Sequence, residues 1–246
     1  MSDAAWALEL VEDEGLDGRC AADPREAARV AAALRARPSA DKPSLLFYFA
    51  QRNCEKLVQL LLADGLSPNT IYPEHGMSTL MHVAARAGSV GVLRLLLLVS
   101  VDAMSRDVLG NTPLMVAVRE GNLVCTCDLL GWHLGHRTLD LRQFNAGGFN
   151  VLHECMFSSL PVSFTTDVSV TDRTEILKLL LPHFADIDVR TVKGRPPAVP
   201  DGPYDCTPLH IACGNGLHAI AKALLAAGAS RTAHDNNSVS CHNSAG

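Results

Sequence analysis

Cysteine and histidine cluster in Cys125-x-Cys127 followed by His133 and His136, the side chains that zinc favours as ligands. On a helix, residues two apart point in different directions, so Cys125 and Cys127 are poorly placed to share one ion. They read instead as small packing residues, with Cys125 at a position where a core valine would serve as well. Cys241 and His242 are adjacent in a polar tail, but a thiol nucleophile needs a base placed in space and a third group to orient it. Glu12 and Glu14 belong to an acidic, solvated N-terminal segment. Gly214-Asn215-Gly216 reads by its place in the recurring block as a helix–helix turn rather than a phosphate cradle, and the chain has no G-x-S-x-G, P-loop or H-E-x-x-H pattern. No catalytic, cofactor-binding or metal-binding residue is expected. His82, His153 and His210 remain. They share one place in a recurring block, which points to a structural role, in which a ring with one donor and one acceptor nitrogen is tied to turn backbone.

The blocks that carry those histidines begin Thr79-Leu80-Met81-His82, Thr112-Pro113-Leu114-Met115, Asn150-Val151-Leu152-His153 and Thr207-Pro208-Leu209-His210. Gly88, Gly121 and Gly216 follow three of them, and leucine-rich stretches come next at Leu95–Leu97, Leu129–Leu130 and Leu224–Leu225. The third block reaches its equivalent, Leu179–Leu181, only after an insertion. A weaker copy precedes them, from Ser44 through Asn53 to Gly65. The copies start near 44, 79, 112, 150 and 207, so successive starts lie 35, 33, 38 and 57 residues apart. Each part has a physical role. Threonine caps a helix with its hydroxyl, and proline next to it occupies a position that needs no N–H. Leu209, Ala212 and Cys213 share one helical face, and Gly216 breaks the helix. Ile220, Ala223 and Leu224 form the stripe of a second helix that ends at Gly228. Such a helix pair cannot bury its own apolar face and must stack on its neighbours.

A unit of ~33 residues with a T-P-L-H-x-A block resembles the ankyrin repeat. Thr207-Pro208-Leu209-His210-Ile211-Ala212 matches it fully, and the resemblance covers roughly residues 44–236. It implies an all-α solenoid of about five helix-turn-helix repeats joined by finger loops. Residues 1–43 are expected to form an N-terminal helical cap: Asp23 caps a helix starting at Pro24, whose stripe of Ala27, Val30, Ala31 and Leu34 would pack on Phe47, Leu57 and Leu61. A second short helix is expected from Ala4 to Leu10. Residues 237–246 read as a polar tail or a truncated repeat. Two stretches depart from the pattern. Residues 157–173 read as a surface loop or a short added hairpin, and residues 191–204, with four prolines between Gly194 and Pro203, enlarge a finger. Either could serve as a binding loop or as a passive insertion.

Composition narrows the function. The chain has 246 residues, 48% hydrophobic and 19% charged, with a net charge of −5 from 21 Lys+Arg against 26 Asp+Glu. That suits a packed core and argues against a nucleic-acid partner. The run from Val92 to Val101 is broken by Arg94 and is shorter than the ~20 residues of a membrane span. An acidic N-terminus and sparse cysteines suit a reducing cytoplasmic or nuclear setting. The resemblance implies a non-catalytic adaptor or scaffold that acts as a monomer and binds a partner protein through the concave face of fingers and first helices. Carried onto this chain, that face holds His75, Ser78, Arg86, Val108, Leu109, Asn111, Arg119, Glu120, Phe149, Phe157, Tyr204, Cys206 and Asn215. Phe149, Phe157 and Tyr204 are the expected anchors in a chain with only 5% aromatics. Arg86 and Arg119 hold the same repeat position, a positive spot suited to an acidic peptide. The alternative is a regulatory or targeting region of a larger enzyme, prompted by the unfinished finger at Asp235–Ser240.

Overall fold

A short polar side chain opens each first helix of the recurring blocks. In the computed structural model, which describes residues 16–36, 42–99, 101–136, 140–157, 167–192 and 205–233, Thr79, Thr112, Asn150 and Thr207 are the N-caps. The Thr112 hydroxyl accepts the Met115 N–H at 3.3 Å, and Asn150 Oδ1 accepts the Leu152 and His153 N–H groups at 3.1 Å each. Where histidine stands three residues on, its ring closes the cap. The backbone N–H of Thr79, Asn150 and Thr207 donates to Nδ1 of His82, His153 and His210 at 3.2, 3.3 and 3.2 Å. Because Nδ1 accepts, the proton sits on Nε2, which donates to the carbonyls of Val189 from His153 (3.0 Å) and Ala233 from His210 (2.9 Å). These two rings therefore tie a helix start to the following finger. Burial holds the His153 imidazole neutral, with its pKa pushed down to about 4.

The chain divides into two compact units, Met1–Ser105 and Arg106–Gly246. In the first, α1 (Leu16–Ala22) and α2 (Pro24–Arg35) form a pair that packs on α4 (Glu55–Ala63), the partner of α3 (Lys42–Gln51). Asp23 caps α2 by accepting the Arg25 N–H, and the buried face is Ala27, Val30, Ala31 and Leu34. Leu57 and Leu61 of α4 are fully buried, but Phe47 of α3 turns to the finger, its ring stacked on His75 at 3.9 Å. The helix α1 has no counterpart among the sequence expectations. Its Asp17 carboxylate accepts the Leu57 N–H at 2.9 Å, a contact forty residues away in the chain. The helix expected at Ala4 to Leu10 lies outside the described residues. A two-stranded finger follows, β1 (Ile71–Tyr72) antiparallel to β2 (Ser78–Thr79), with Ile71 opposite Thr79 and Tyr72 opposite Ser78. Then come α5 (Leu80–Ala87) and α6 (Val90–Leu98), with α5 against α3 and α6 against α4. Gly88 closes α5 at φ +70°, and Asn53 takes the same left-handed turn at φ +56° between α3 and α4.

In the second unit, the first helices α7 (Pro113–Glu120), α9 (Val151–Glu154) and α11 (Pro208–Gly214) pack in a row. The second helices α8 (Leu123–His136), α10 (Asp167–Leu180) and α12 (His218–Ala226) pack in another. One expectation changes here. The stretch 157–173 is not a loop or hairpin throughout, because α10 already begins at Asp167 and Arg173 is buried within it. Of the enlarged finger, Thr191 and Val192 are described, and the Thr191 N–H donates to the Cys206 carbonyl at 2.9 Å; residues 193–204 lie outside the described residues. On α8, Cys125 is fully buried and Cys127 exposed, so the two thiols face opposite sides, and His136 stacks on Trp132 at 4.2 Å.

Candidate functional site

The fingers of the second unit rest on one polar network. Asp107 Oδ1 accepts the N–H groups of Leu109 (2.9 Å) and Asn111 (2.8 Å), and its Oδ2 accepts the Asn111 amide at 3.1 Å. Asn145 holds the equivalent place five residues before the next cap. Its Oδ1 accepts the Phe149 N–H at 3.0 Å, and its Nδ2 donates to Asn111 Oδ1 (2.8 Å) and Glu154 Oε1 (2.6 Å). Main chain joins finger to finger: Ala146 N–H donates to the Leu109 carbonyl at 2.8 Å, and Val192 N–H to the Gly148 carbonyl at 3.1 Å. Gly148 is at φ +81° with the Val192 carbonyl directly against it, so no side chain fits there.

Two arginines lock the helices beneath. Arg119 Nε and Nη2 grip Glu154 at 2.6 and 2.8 Å, a two-pronged pair whose carboxylate is fully buried. Burial pushes the Glu154 carboxyl above its ordinary value, while Arg119 and Asn145 pull it back. Arg173 reaches from α10 to three carbonyls at the ends of two first helices: Arg119, at 2.5 Å, and Cys155 and Phe157. This one guanidinium satisfies carbonyls at or just past the C-termini of both helices.

The residues assigned to the binding face divide into three groups. Ser78, Asn111 and Cys206 are buried and cannot meet a partner with their side chains. Asn111 is bound in the finger network and Cys206 N–H to the Thr191 hydroxyl, while the Ser78 side chain has no partner. Arg119 is spent on Glu154, whereas Asn215 stays exposed while its side-chain amide donates to the Met156 carbonyl at 2.9 Å. The positive spot expected from Arg86 and Arg119 is therefore corrected, since the buried glutamate neutralises the second charge. On the surface remain His75 and Arg86 in the first unit, and Val108, Leu109, Asn215 and the partly exposed Glu120, Phe149 and Phe157 in the second. Val108 is 51% exposed and Leu109 41%, and Phe149 meets Phe157 edge to face at 4.8 Å. Tyr204 lies outside the described residues.

Asp107, Asn145, Glu154 and Arg173 are site residues that the sequence expectations miss. The recurrence of a polar residue five places before the cap at 107 and 145 is a visible signal; nothing local marks Glu154 or Arg173. The capped, glycine-ended helix pairs joined by short fingers are matched by family models for ankyrin repeats, as three copies over residues 46–140 and one copy over residues 204–236. The chain is an ankyrin-repeat protein. Its curated relatives include E3 ubiquitin-protein ligase KEG of Arabidopsis thaliana, 36% identical over 80 residues, or 32% of this chain and 5% of the ligase. A putative ankyrin repeat protein of Pyrobaculum aerophilum is 38% identical over 80 residues, 32% of this chain and 29% of that protein. The chain thus spans under a third of either relative's length. Ankyrin repeats are general protein–protein interaction modules. Among the described residues, no helix is long and apolar enough to cross a membrane.

Proposed function

We propose that this ankyrin-repeat chain is a non-catalytic adaptor or scaffold whose second unit binds a partner protein through its fingers and first-helix ends. The observation that carries the reading is the apolar surface at Val108 and Leu109 on one finger and at the Phe149–Phe157 pair on the next block. Aromatic side chains with a polar surround are favoured anchors of binding energy. With Arg119 neutralised, this face selects by apolar fit rather than by attraction to an acidic peptide. Binding as a monomer in the cytoplasm or nucleus completes the proposal. The test is a pull-down comparing the native sequence with Phe149→Ala/Phe157→Ala and with the remote surface variant Lys222→Ala, all shown to be folded by circular dichroism. The reading expects a partner kept by the native chain and Lys222→Ala and lost by the double variant. Equal retention by all three removes it.

A second reading makes the chain the regulatory region of a larger enzyme, and the partial likeness to a ubiquitin ligase favours it. A catalytic domain continuous in the same open reading frame supports it; a stop codon at either edge with no such domain refutes it.

A further inference from the structure

The second unit also holds a cavity of about 440 Å³ beside the finger network, between the start of one finger (Asp140–Phe144) and the turn after α10 (His183–Val189). That volume lies within the range of small-ligand sites. The cavity wall carries Phe144 and Phe184, both half-buried, and neither stacks on another ring among the described residues. Asp140 and Asp186 line it too. Each spends one oxygen on the chain: Asp140 Oδ1 accepts the Arg142 N–H at 3.1 Å, and Asp186 Oδ1 the Asp188 N–H at 2.9 Å. Neither carboxylate forms an ion pair among the described residues, and the Arg142 guanidinium on the same wall is not within pairing distance of them. Among the described lining residues, which also include His183, two exposed carboxylates stand against one guanidinium, an excess of negative charge with the imidazole neutral.

We propose that this cavity receives a lysine side chain of a partner peptide, its ammonium on Asp140 and Asp186 and its stem and apolar neighbours on Phe144, Phe184 and Val189. Aromatic faces attract a cation through their quadrupole, most strongly when water is partly excluded, and the carboxylates supply the opposite charge. An acidic peptide is disfavoured by the same charge balance. The inference rests on the reading of this chain as a protein-binding module, but it names a surface that Phe149 and Phe157 do not form.

The probe is n-butylammonium, a lysine side chain without its backbone, titrated into the ¹⁵N-labelled full chain, with n-butanol as the neutral isostere. The expected result is a saturable shift of the Asp140, Phe144, Phe184 and Asp186 amides, with a Kd on the order of 1–10 mM. Butanol should bind more weakly, and added salt should weaken the ammonium. Asp140→Asn/Asp186→Asn should lose about fivefold or more in affinity, and Arg142→Gln should gain about twofold by removing a repelling charge. Phe144→Leu/Phe184→Leu, which keeps the wall apolar, should lose about threefold. Shifts that never saturate, that butanol reproduces, or that the asparagine variant retains overturn the proposal. A chain that loses its partner with Phe149→Ala/Phe157→Ala yet shows no ammonium binding keeps the finger reading and discards the cavity.

Discussion

Removing the guanidinium of Arg119 should be among the most damaging single changes to the second unit. The pair it forms with Glu154 has two short prongs, at 2.6 and 2.8 Å, and its carboxylate is fully buried. Two charges about 4 Å apart in a medium of effective dielectric about 20 attract by about 4 kcal/mol. Breaking a buried pair from one side costs about 3–5 kcal/mol, because the remaining ion keeps its desolvation penalty without its partner. In Arg119→Ala, only the Asn145 amide would still serve the Glu154 carboxylate. The expected loss is about 3 kcal/mol or more at neutral pH. The pH dependence has a definite sign. Burial already pushes the Glu154 carboxyl up, and without Arg119 it rises further. The folded variant then binds a proton before the unfolded chain does, so its deficit shrinks as pH falls toward ~4.3. The double variant Arg119→Met/Glu154→Leu removes both charges and should recover most of the loss. Urea unfolding read by Trp132 emission, in a Trp6→Phe background, reports on this unit alone. A loss below about 1 kcal/mol, or a double variant as unstable as the single, would refute the account of this pair.

Other expectations follow from the same geometry. His153 is neutral in the folded chain with a pKa of about 4, so stability is untouched above pH ~6.5 and falls by about 3 kcal/mol on going to pH ~4, as the unfolded chain takes up the proton first; His153→Asn should flatten that slope in urea titrations at pH 7 and 5. Gly148→Ala should destabilise the second unit by about 2 kcal/mol or more, because a side chain at φ +81° meets the Val192 carbonyl; calorimetry checks it. Cys155 is fully buried with its thiol pushed up to about 12, so it should resist iodoacetamide until unfolding, whereas exposed Cys127 should react in the native protein; peptide mass spectrometry separates them. Arg173→Met should destabilise the ends of α7 and α9 and raise amide hydrogen exchange at Gly121 and Phe157, since three carbonyls lose their donor.

Much of this protein follows from local chemistry. A threonine before proline, a histidine three residues on and a glycine past the last apolar turn each act within a few residues, so the helix pairs and their order can be read from spacing. The face of α2 is legible for the same reason, down to Leu34. Some site residues are legible only in address. Ser78, Asn111 and Cys206 sit where the repeat predicts, but their side chains point inward, because the neighbouring finger and helix cover them. The start of α10 at Asp167 escapes a reading of spacing since Ser, Thr and Val carry no strong helix signal, and packing between α8 and α12 overrides that preference.

The sequence by itself determined the repeat, its caps and its turns, because those bonds close between neighbours in the chain. Only the tertiary structure decided that Arg119 is neutralised by Glu154, that Arg173 spans two helix ends, and that Asp17 caps a helix forty residues away. Those contacts join residues distant along the chain. The charge left on the surface depends on which partners the fold brings within hydrogen-bond reach, and no spacing rule records that.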